Sequence, residues 1–306
     1  MSGFTPHEKS HQVTPKRIAR RHLLSYLLAE HEAKGSLDLD ELEAAARKFS
    51  LSLAEIYEVA SFYPALGRSE GGARFDLSCW LSCSVEGDHP GGWVCRGQCA
   101  KSWSFETDSY GTYGRISAAR VSADALIEGA SASSRLTSIP RKWQRVLSNG
   151  KRPVLIVNAD EGDPSTSKDR YLLETDPSGV LEGVLLAAGA LNPLEIIFYI
   201  NHQYDTALAA LRGALLHHAE VCSGFCISIE RSGGAYICGE ETALVASLEG
   251  ERAIPRERPY DLLVEGFLSH PTLVHNVESL YRLRALITPV QASPGHPLLE
   301  PTIEAI

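Results

Sequence analysis

Apolar positions near the start of the chain recur at helical spacing. Ile18, Leu23, Leu24, Leu27 and Leu28 form one stripe, and Gly35 is placed to stop it. A second helix is predicted over Asp38 to Phe49. Ser52 is suited to cap a third, which carries Leu53, Ile56, Tyr57 and Val59, and this small bundle ends near Tyr63. Residues 68–117 lose the rhythm. They are rich in Gly, Ser and Cys, with short strand candidates in ARFDLSCW, GGWVC and YGRI. Residues 118–150 read as a Ser- and Arg-rich stretch, and a boundary near Ser117 divides the chain into 1–117 and 118–306.

From Arg152 the pattern alternates. Strands are predicted at PVLIVN (153–158), LEIIFYI (194–200) and CISIE (226–230). Helices are predicted from about Pro177 to Leu191, over 204–218, from about Glu240, and from Asn276 to Leu286. Strands alternating with helices point to an α/β core behind an N-terminal helical bundle. The tail from Thr288 is irregular, and no internal repeat is visible.

Composition then narrows the class. The chain has 306 residues, enough for roughly two domains at ~100–200 residues each. Hydrophobic residues make up 44% and charged residues 22%, values of a folded globular chain. The net charge of -9 makes nucleic acid a poor partner. The most apolar stretch, Gly179 to Ile200, is broken by Glu182, Asn192, Pro193 and Glu195, so no membrane insertion is expected. The first 22 residues lack the apolar segment of a signal peptide. A cytoplasmic protein is expected, held at a membrane only through a partner complex.

Seven cysteines matter more in a reducing compartment, where clustered thiols indicate metal or redox chemistry before disulfides. Four of them, Cys79, Cys83, Cys95 and Cys99, fall in a C-x3-C-x11-C-x3-C arrangement. Four thiolates can hold an iron–sulfur cluster or zinc, or can stand unligated in a loop. The x3 spacings lean away from the C-x2-C knuckles of zinc sites.

Three further segments carry candidate chemistry. VNADEGDPSTSKDR (157–170) follows the first α/β strand, where open sheets bind ligands. It crowds Asp160, Glu161 and Asp163 with Lys168, Asp169 and Arg170. A solvated turn would use similar residues, but Asn158 ends an apolar strand, and a buried amide needs a partner. In RSGGAYICGEETALVASLEG (231–250), Glu240 and Glu241 fall in the first turn of a helix, where negative charge is favoured. In HPTLVHNVESL (270–280), Asn276 is a good N-cap.

Two family resemblances attach to these motifs. LSLAEIYEVASFYPAL resembles the helix that precedes the cluster in the thioredoxin-like 2Fe-2S ferredoxin subunit of complex I and NAD-linked hydrogenases. Glu58, Val59, Ala60, Ser61, Phe62 and Tyr63 match that family's E-V-A-T-F-Y signature. CRGQC and ETDSYGTYGRI look like its C-L-G-x-C pair and following hairpin. The family has a much longer stretch between its second and third Cys, so the ferredoxin-like segment here is reduced. The resemblance implies a 2Fe-2S cluster on Cys79, Cys83, Cys95 and Cys99, with zinc as the alternative.

NADEGDPSTSKDR, GGAYICGEETALVASLEG and PTLVHNVESL together resemble the NADH-binding FMN flavoprotein subunit of complex I, also found in NAD-reducing hydrogenases and NAD-dependent formate dehydrogenases. They occur in the family's order over roughly residues 141–287. The resemblance implies FMN held by Asn158 and Asp160 in a loop with Glu161 and Asp163. Tyr236, Gly239, Glu240 and Glu241 would line the flavin and nicotinamide side, the two Glu being the catalytic candidates. Lys142 would lie near the flavin. His275 and Asn276 would stand where paired Asn reach the FMN phosphate. Hydride would pass from NADH to FMN, then single electrons to iron–sulfur, within a hetero-oligomer of oxidoreductase subunits.

The departures are also specific. Before Lys142 and Trp143 the family has a Gly-rich loop, and this chain has SASSRLTSIP (131–140) with no glycine. Asp163 stands for Glu and Ser165 for Gly, and Tyr260 matches a family aromatic only after a one-residue shift. The chain stops before the family's ubiquitin-like and 4Fe-4S domains. Cys222, Cys226 and Cys238 are expected to be packing thiols. The expected fold is an α/β FMN-binding flavoprotein core behind a helical bundle and a reduced thioredoxin-like ferredoxin segment. Two alternatives keep part of this: a non-catalytic scaffold or accessory subunit that has lost NADH oxidation, and a zinc-stabilised domain fused to an inactive relic.

Overall fold

The structure is a computed structural model that describes residues 20–66, 122–133, 136–162, 166–257 and 261–286. The four clustered cysteines, Asp163, Tyr260 and the strand candidates of 68–117 lie outside the described residues.

Three N-terminal helices form as their caps dictate. Helix α1 (Leu23–Lys34) ends at Gly35, whose φ of 78° lies in the left-handed region. Helices α2 (Leu39–Phe49) and α3 (Leu53–Phe62) each begin with a capping box, Asp38 with Glu41 and Ser52 with Glu55. A 3-10 turn, Pro64–Leu66, closes the segment.

The second part opens with two helices that the Ser- and Arg-rich composition obscured, α4 (Ala123–Ser131) and α5 (Ser138–Ser148). Their signal was present in the spacing. Ile139, Trp143 and Val146 fall on one face of α5 and are fully buried. Then follow β1 (Val154–Ala159), α6 (Lys168–Thr175), α7 (Pro177–Leu191), β2 (Glu195–Ile200), α8 (Asp205–His217), a four-residue α9 (Ala219–Cys222) and β3 (Ile227–Arg231). A 3-10 turn at Tyr236–Gly239 leads into α10 (Glu241–Leu248). The described chain closes with β4 (Thr272–Asn276) and α11 (Val277–Leu283). Among the described strands β4 is the one the sequence pattern did not predict, and the short helices α6 and α9 were not predicted either. Strand β4 is five residues long and passes without a loop into the helix that Asn276 caps.

The strands make one parallel sheet in the order β3-β2-β1-β4. Leu155, Val157, Phe198 and Leu273 face helices α4, α5, α7, α8 and α11. Val154, Ile156, Ile197, Tyr199 and Val274 face the other way. They share a core with Leu23, Leu27, Ile56, Tyr63 and α10. Helices α1–α3 therefore form the second cover of the sheet. The division near Ser117 falls outside the described residues, and the segments on either side of it share one hydrophobic core.

Two close approaches set the geometry. A Cβ on Gly183 of α7 would sit 2.1 Å from the Leu280 carbonyl oxygen, so α11 rests against bare backbone there. A Cβ on Gly233 would sit 2.0 Å from the Tyr63 ring, and the Ala65 amide donates to the Gly233 carbonyl at 3.0 Å. No helix among the described residues is long and apolar enough to cross a membrane.

A matched pair of substitutions tests the α7–α11 contact. Gly183→Ala is expected to destabilise by about 1–3 kcal/mol, because the methyl meets backbone. Gly189→Ala, on the same helix with nothing within 4 Å, is expected to stabilise by about 0.5–1 kcal/mol. Urea midpoints of the two variants should move in opposite directions, and movement in the same direction would contradict the packing.

Candidate functional site

Strand order locates the site. From β1 the chain moves outward to β2 and β3, then crosses back to place β4 on the other side of β1. The crevice outside the carboxyl ends of β1 and β4 is the switch point, where parallel sheets bind ligands. The loop after β1 supplies Asp160, Glu161 and Gly162 to this end of the sheet, and the β4–α11 junction supplies Asn276. Helix α6 adds Lys168 and Asp169, α5 adds Lys142, the turn before α10 adds Tyr236 to Gly239, and the start of α10 adds Glu240 and Glu241.

Asn158 is committed within the protein. Its Nδ2 donates to the Gly239 carbonyl at 3.0 Å and its Oδ1 accepts from the Asp160 amide at 3.0 Å. It ties the first loop to the second. Asp160 is 7% exposed, and its Oδ1 accepts from Asn201 Nδ2 at 2.8 Å and Ser232 Oγ at 3.0 Å. Burial raises its pKa to about 6, against these two hydrogen bonds. Glu161 accepts from the Arg170 amide at 3.3 Å and the Tyr204 hydroxyl at 3.4 Å.

A second cluster lies at the start of α11. Lys168 Nζ donates to Asp169 Oδ2 and to Asn276 Oδ1, both at 2.7 Å, with Glu278 3.8 Å and Glu161 3.9 Å away. Asp169 also accepts from Asn276 Nδ2 at 2.5 Å and the Glu278 amide at 3.1 Å. Burial raises the Asp169 pKa to about 6, while Lys168 pulls it down. Asn276 caps α11, as its sequence position predicts, by accepting from the Glu278 amide at 3.1 Å.

The third cluster crosses the crevice. Lys142 Nζ pairs with Glu241 and donates to the Val274 carbonyl at 3.2 Å. Beside it, Trp143 Nε1 donates to His275 Nε2 at 2.9 Å in the core. Burial, with Lys142 nearby, lowers the His275 pKa to about 3, so the ring is neutral and accepts through Nε2. His275 thus faces Trp143 rather than open crevice, while Asn276 stands at the rim. Glu240 caps α10, accepting from the Thr242 and Ala243 amides at 2.9 and 2.8 Å. Tyr236 lies against Gly162 and is 67% exposed.

The described residues of the stretch 131–140 are used for packing. Ser131 ends α4, Leu136 is buried, and residues 138–140 form the first turn of α5 with Ile139 in the core. Cys238 is fully buried, Cys222 partly buried and Cys226 exposed, all three as free thiols. Sequence reasoning passed over Asn201, Ser232, Tyr204 and Glu278. Asn201 and Ser232 follow β2 and β3 directly, and Asn158 is the penultimate residue of β1, so small polar residues at the carboxyl ends of the strands were the available signal.

Comparison with known proteins agrees with this geometry. The family model described as the Nuo51 FMN-binding domain matches residues 123–285. Over 150 residues the chain is 41% identical to an NADH-quinone oxidoreductase subunit of Rhizobium meliloti (strain 1021), covering 45% of this chain and 36% of that protein. Over 158 residues it is 37% identical to the corresponding NADH-quinone oxidoreductase subunit of Aquifex aeolicus (strain VF5), covering 48% and 37%. The matched stretch spans little more than a third of these curated relatives. A chain of the NAD+-reducing NiFe hydrogenase in its H2-reduced state superimposes with a TM-score of 0.65 at 26% identity, covering 87% of this chain and 61% of that one. That share exceeds what residues 123–285 can supply, so the likeness includes residues outside that range.

Linkage gives a test of the buried imidazole. With a folded pKa near 3 against 6.5, His275 takes up a proton more readily when unfolded, so it favours the native state above pH 6.5 and loses that contribution as pH falls toward 3. Asp160 and Asp169, raised from 3.8 to about 6, act oppositely between those values. His275→Asn is expected to lower the acid-side slope of stability by up to about 1.4 kcal/mol per pH unit. Urea unfolding between pH 4 and 6.5 reads the slope, and an unchanged slope would mean the ring is not buried neutral.

Proposed function

The chain belongs to the family of the Nuo51 FMN-binding domain, and on that premise we propose that the crevice between β1 and β4 holds FMN and takes a hydride from a reduced nicotinamide dinucleotide. The observation that carries this reading is the convergence of three sequence segments, distant in the chain, at the switch point of the sheet. The donor set fits such a group. A flavin presents a flat ring with an amide-like edge and a phosphate tail. Tyr236 offers an exposed aromatic face, and Asp160 and Glu241 offer carboxylates for N–H donors. Lys168 and Asn276 offer a cation and an amide for the phosphate. FMN, when bound, supplies the hydride acceptor and hands electrons on singly.

The residues of the chain then have separable tasks. Lys142 holds Glu241 at the crevice and is itself anchored on the β4 backbone. Glu240 and Glu241 favour the positive charge that develops on the nicotinamide ring as its hydride leaves. Asn158 keeps the two loops together, so their carboxylates keep a fixed spacing during the transfer. Electrons would leave through iron–sulfur carriers, of which Cys79, Cys83, Cys95 and Cys99 are this chain's candidate ligands, and through other subunits of an oxidoreductase complex.

Three measurements test the reading. FMN titrated into the purified chain should lose fluorescence, and Lys168→Ala with Asn276→Ala should weaken binding about tenfold or more. NADH-dependent reduction of ferricyanide should be present and should disappear in Glu241→Ala. FMN binding without that reduction would identify an accessory subunit of the same fold. Cys79→Ser should leave FMN binding unchanged while removing any iron–sulfur absorbance.

A further inference from the structure

The Asp160 carboxyl is held from two directions that the first loop does not contain. Asn201 follows β2 and Ser232 follows β3, and both donate to the same oxygen, Oδ1. Neither donor is free to wander. The Asn201 amide donates to the Ala159 carbonyl at 3.2 Å, and its side-chain Oδ1 accepts from the Gln203 amide at 3.0 Å. The Ser232 amide donates to the Ile200 carbonyl at 2.8 Å, and the residue is fully buried. On the third side, the Asp160 amide is fixed by Asn158 Oδ1. Three strand ends thus meet at one carboxyl, and among the described residues its hydrogen bonds all end on Oδ1.

We propose that Asn201 and Ser232 are positioning residues: they hold Asp160 as a carboxylate whose Oδ2 is kept for a ligand N–H donor in the crevice. This inference rests on the FMN reading for the identity of the ligand. The chemistry follows from the donor count. Burial disfavours the anion, and two hydrogen bonds to its charged form offset that penalty. The titratable groups that face Asp160 are Tyr199 on β2, Tyr204 before α8 and Cys238 in the turn before α10, with Glu161 adjacent in the chain. The tyrosines and the thiol are all pushed upward by burial, so they are neutral near pH 7 and none supplies a compensating positive charge. The two neutral donors are what remain to keep the carboxyl charged. An ionised Oδ2 accepts from an N–H, whereas a protonated one would donate, so these residues decide which edge of a ligand the site accepts.

The test reads the carboxyl directly. Side-chain carboxyl NMR of the full chain, with the Asp160 signal assigned through Asp160→Asn, gives its titration midpoint. Ser232→Ala and Asn201→Ala are each expected to raise that midpoint by about one pH unit, and Ser232→Thr to restore it. FMN affinity, followed by fluorescence across pH 5.5–8.5, is expected to fall as pH drops through the midpoint of each protein. At pH 7 the double variant should bind about tenfold more weakly than the parent. A midpoint unmoved in both single variants overturns the proposal, as does FMN affinity that ignores the midpoint. If the parent binds no FMN at any pH, the FMN reading fails, and the carboxyl titration alone still decides whether Asn201 and Ser232 hold Asp160.

Discussion

Four parallel strands with apolar side chains on both faces must be covered on both faces, because neither face tolerates water. Here one cover is the set α4, α5, α7, α8 and α11, and the other is α1–α3 with α10. With both faces sealed, the ends of the strands are where polar chemistry can emerge. Asn158, Asn276, Asn201 and Ser232 all stand at or just beyond carboxyl ends of strands. The crevice is thus a consequence of how the sheet is buried. Its shape depends on α11 lying directly on the Gly183 backbone, which fixes Asn276 at the end of β4.

Much of this was legible in the residues. The apolar runs of β1 and β2, the short strand β3 and the Ser52 cap of α3 announced themselves. So did the three segments that meet at the crevice, whose resemblance pointed to the flavoprotein family. What was hidden has physical reasons. Helix α5 carries its core positions among Ser, Arg and Lys, so composition masked a clear spacing. Strand β4 is buried at four of its five positions, so it has no alternation to show, and it runs straight into a helix. Asn201 and Ser232 act on Asp160 across 41 and 72 positions of sequence, and no local pattern encodes such a partner.

The electrostatics of the crevice are built from burial more than from charge pairing. Asp160 and Asp169 are carboxyls held upward by desolvation, and His275 is an imidazole held downward by the same cause. The two lysines of the site each lie against a carboxylate, Lys142 on Glu241 and Lys168 on Asp169. An incoming anion therefore meets cations already partnered and must compete for them. That arrangement favours a ligand with several points of attachment over a simple ion.

Tyr63 is seated on Gly233, three residues before Tyr236 at the crevice. The family model begins at residue 123, yet the side chain that covers this turn comes from position 63. The two stretches are thus packed as one unit. A larger residue at 233 demands a smaller one at 63, so the two positions should change together among descendants. A gene rearrangement that parted them would strip one face of the sheet as it did so.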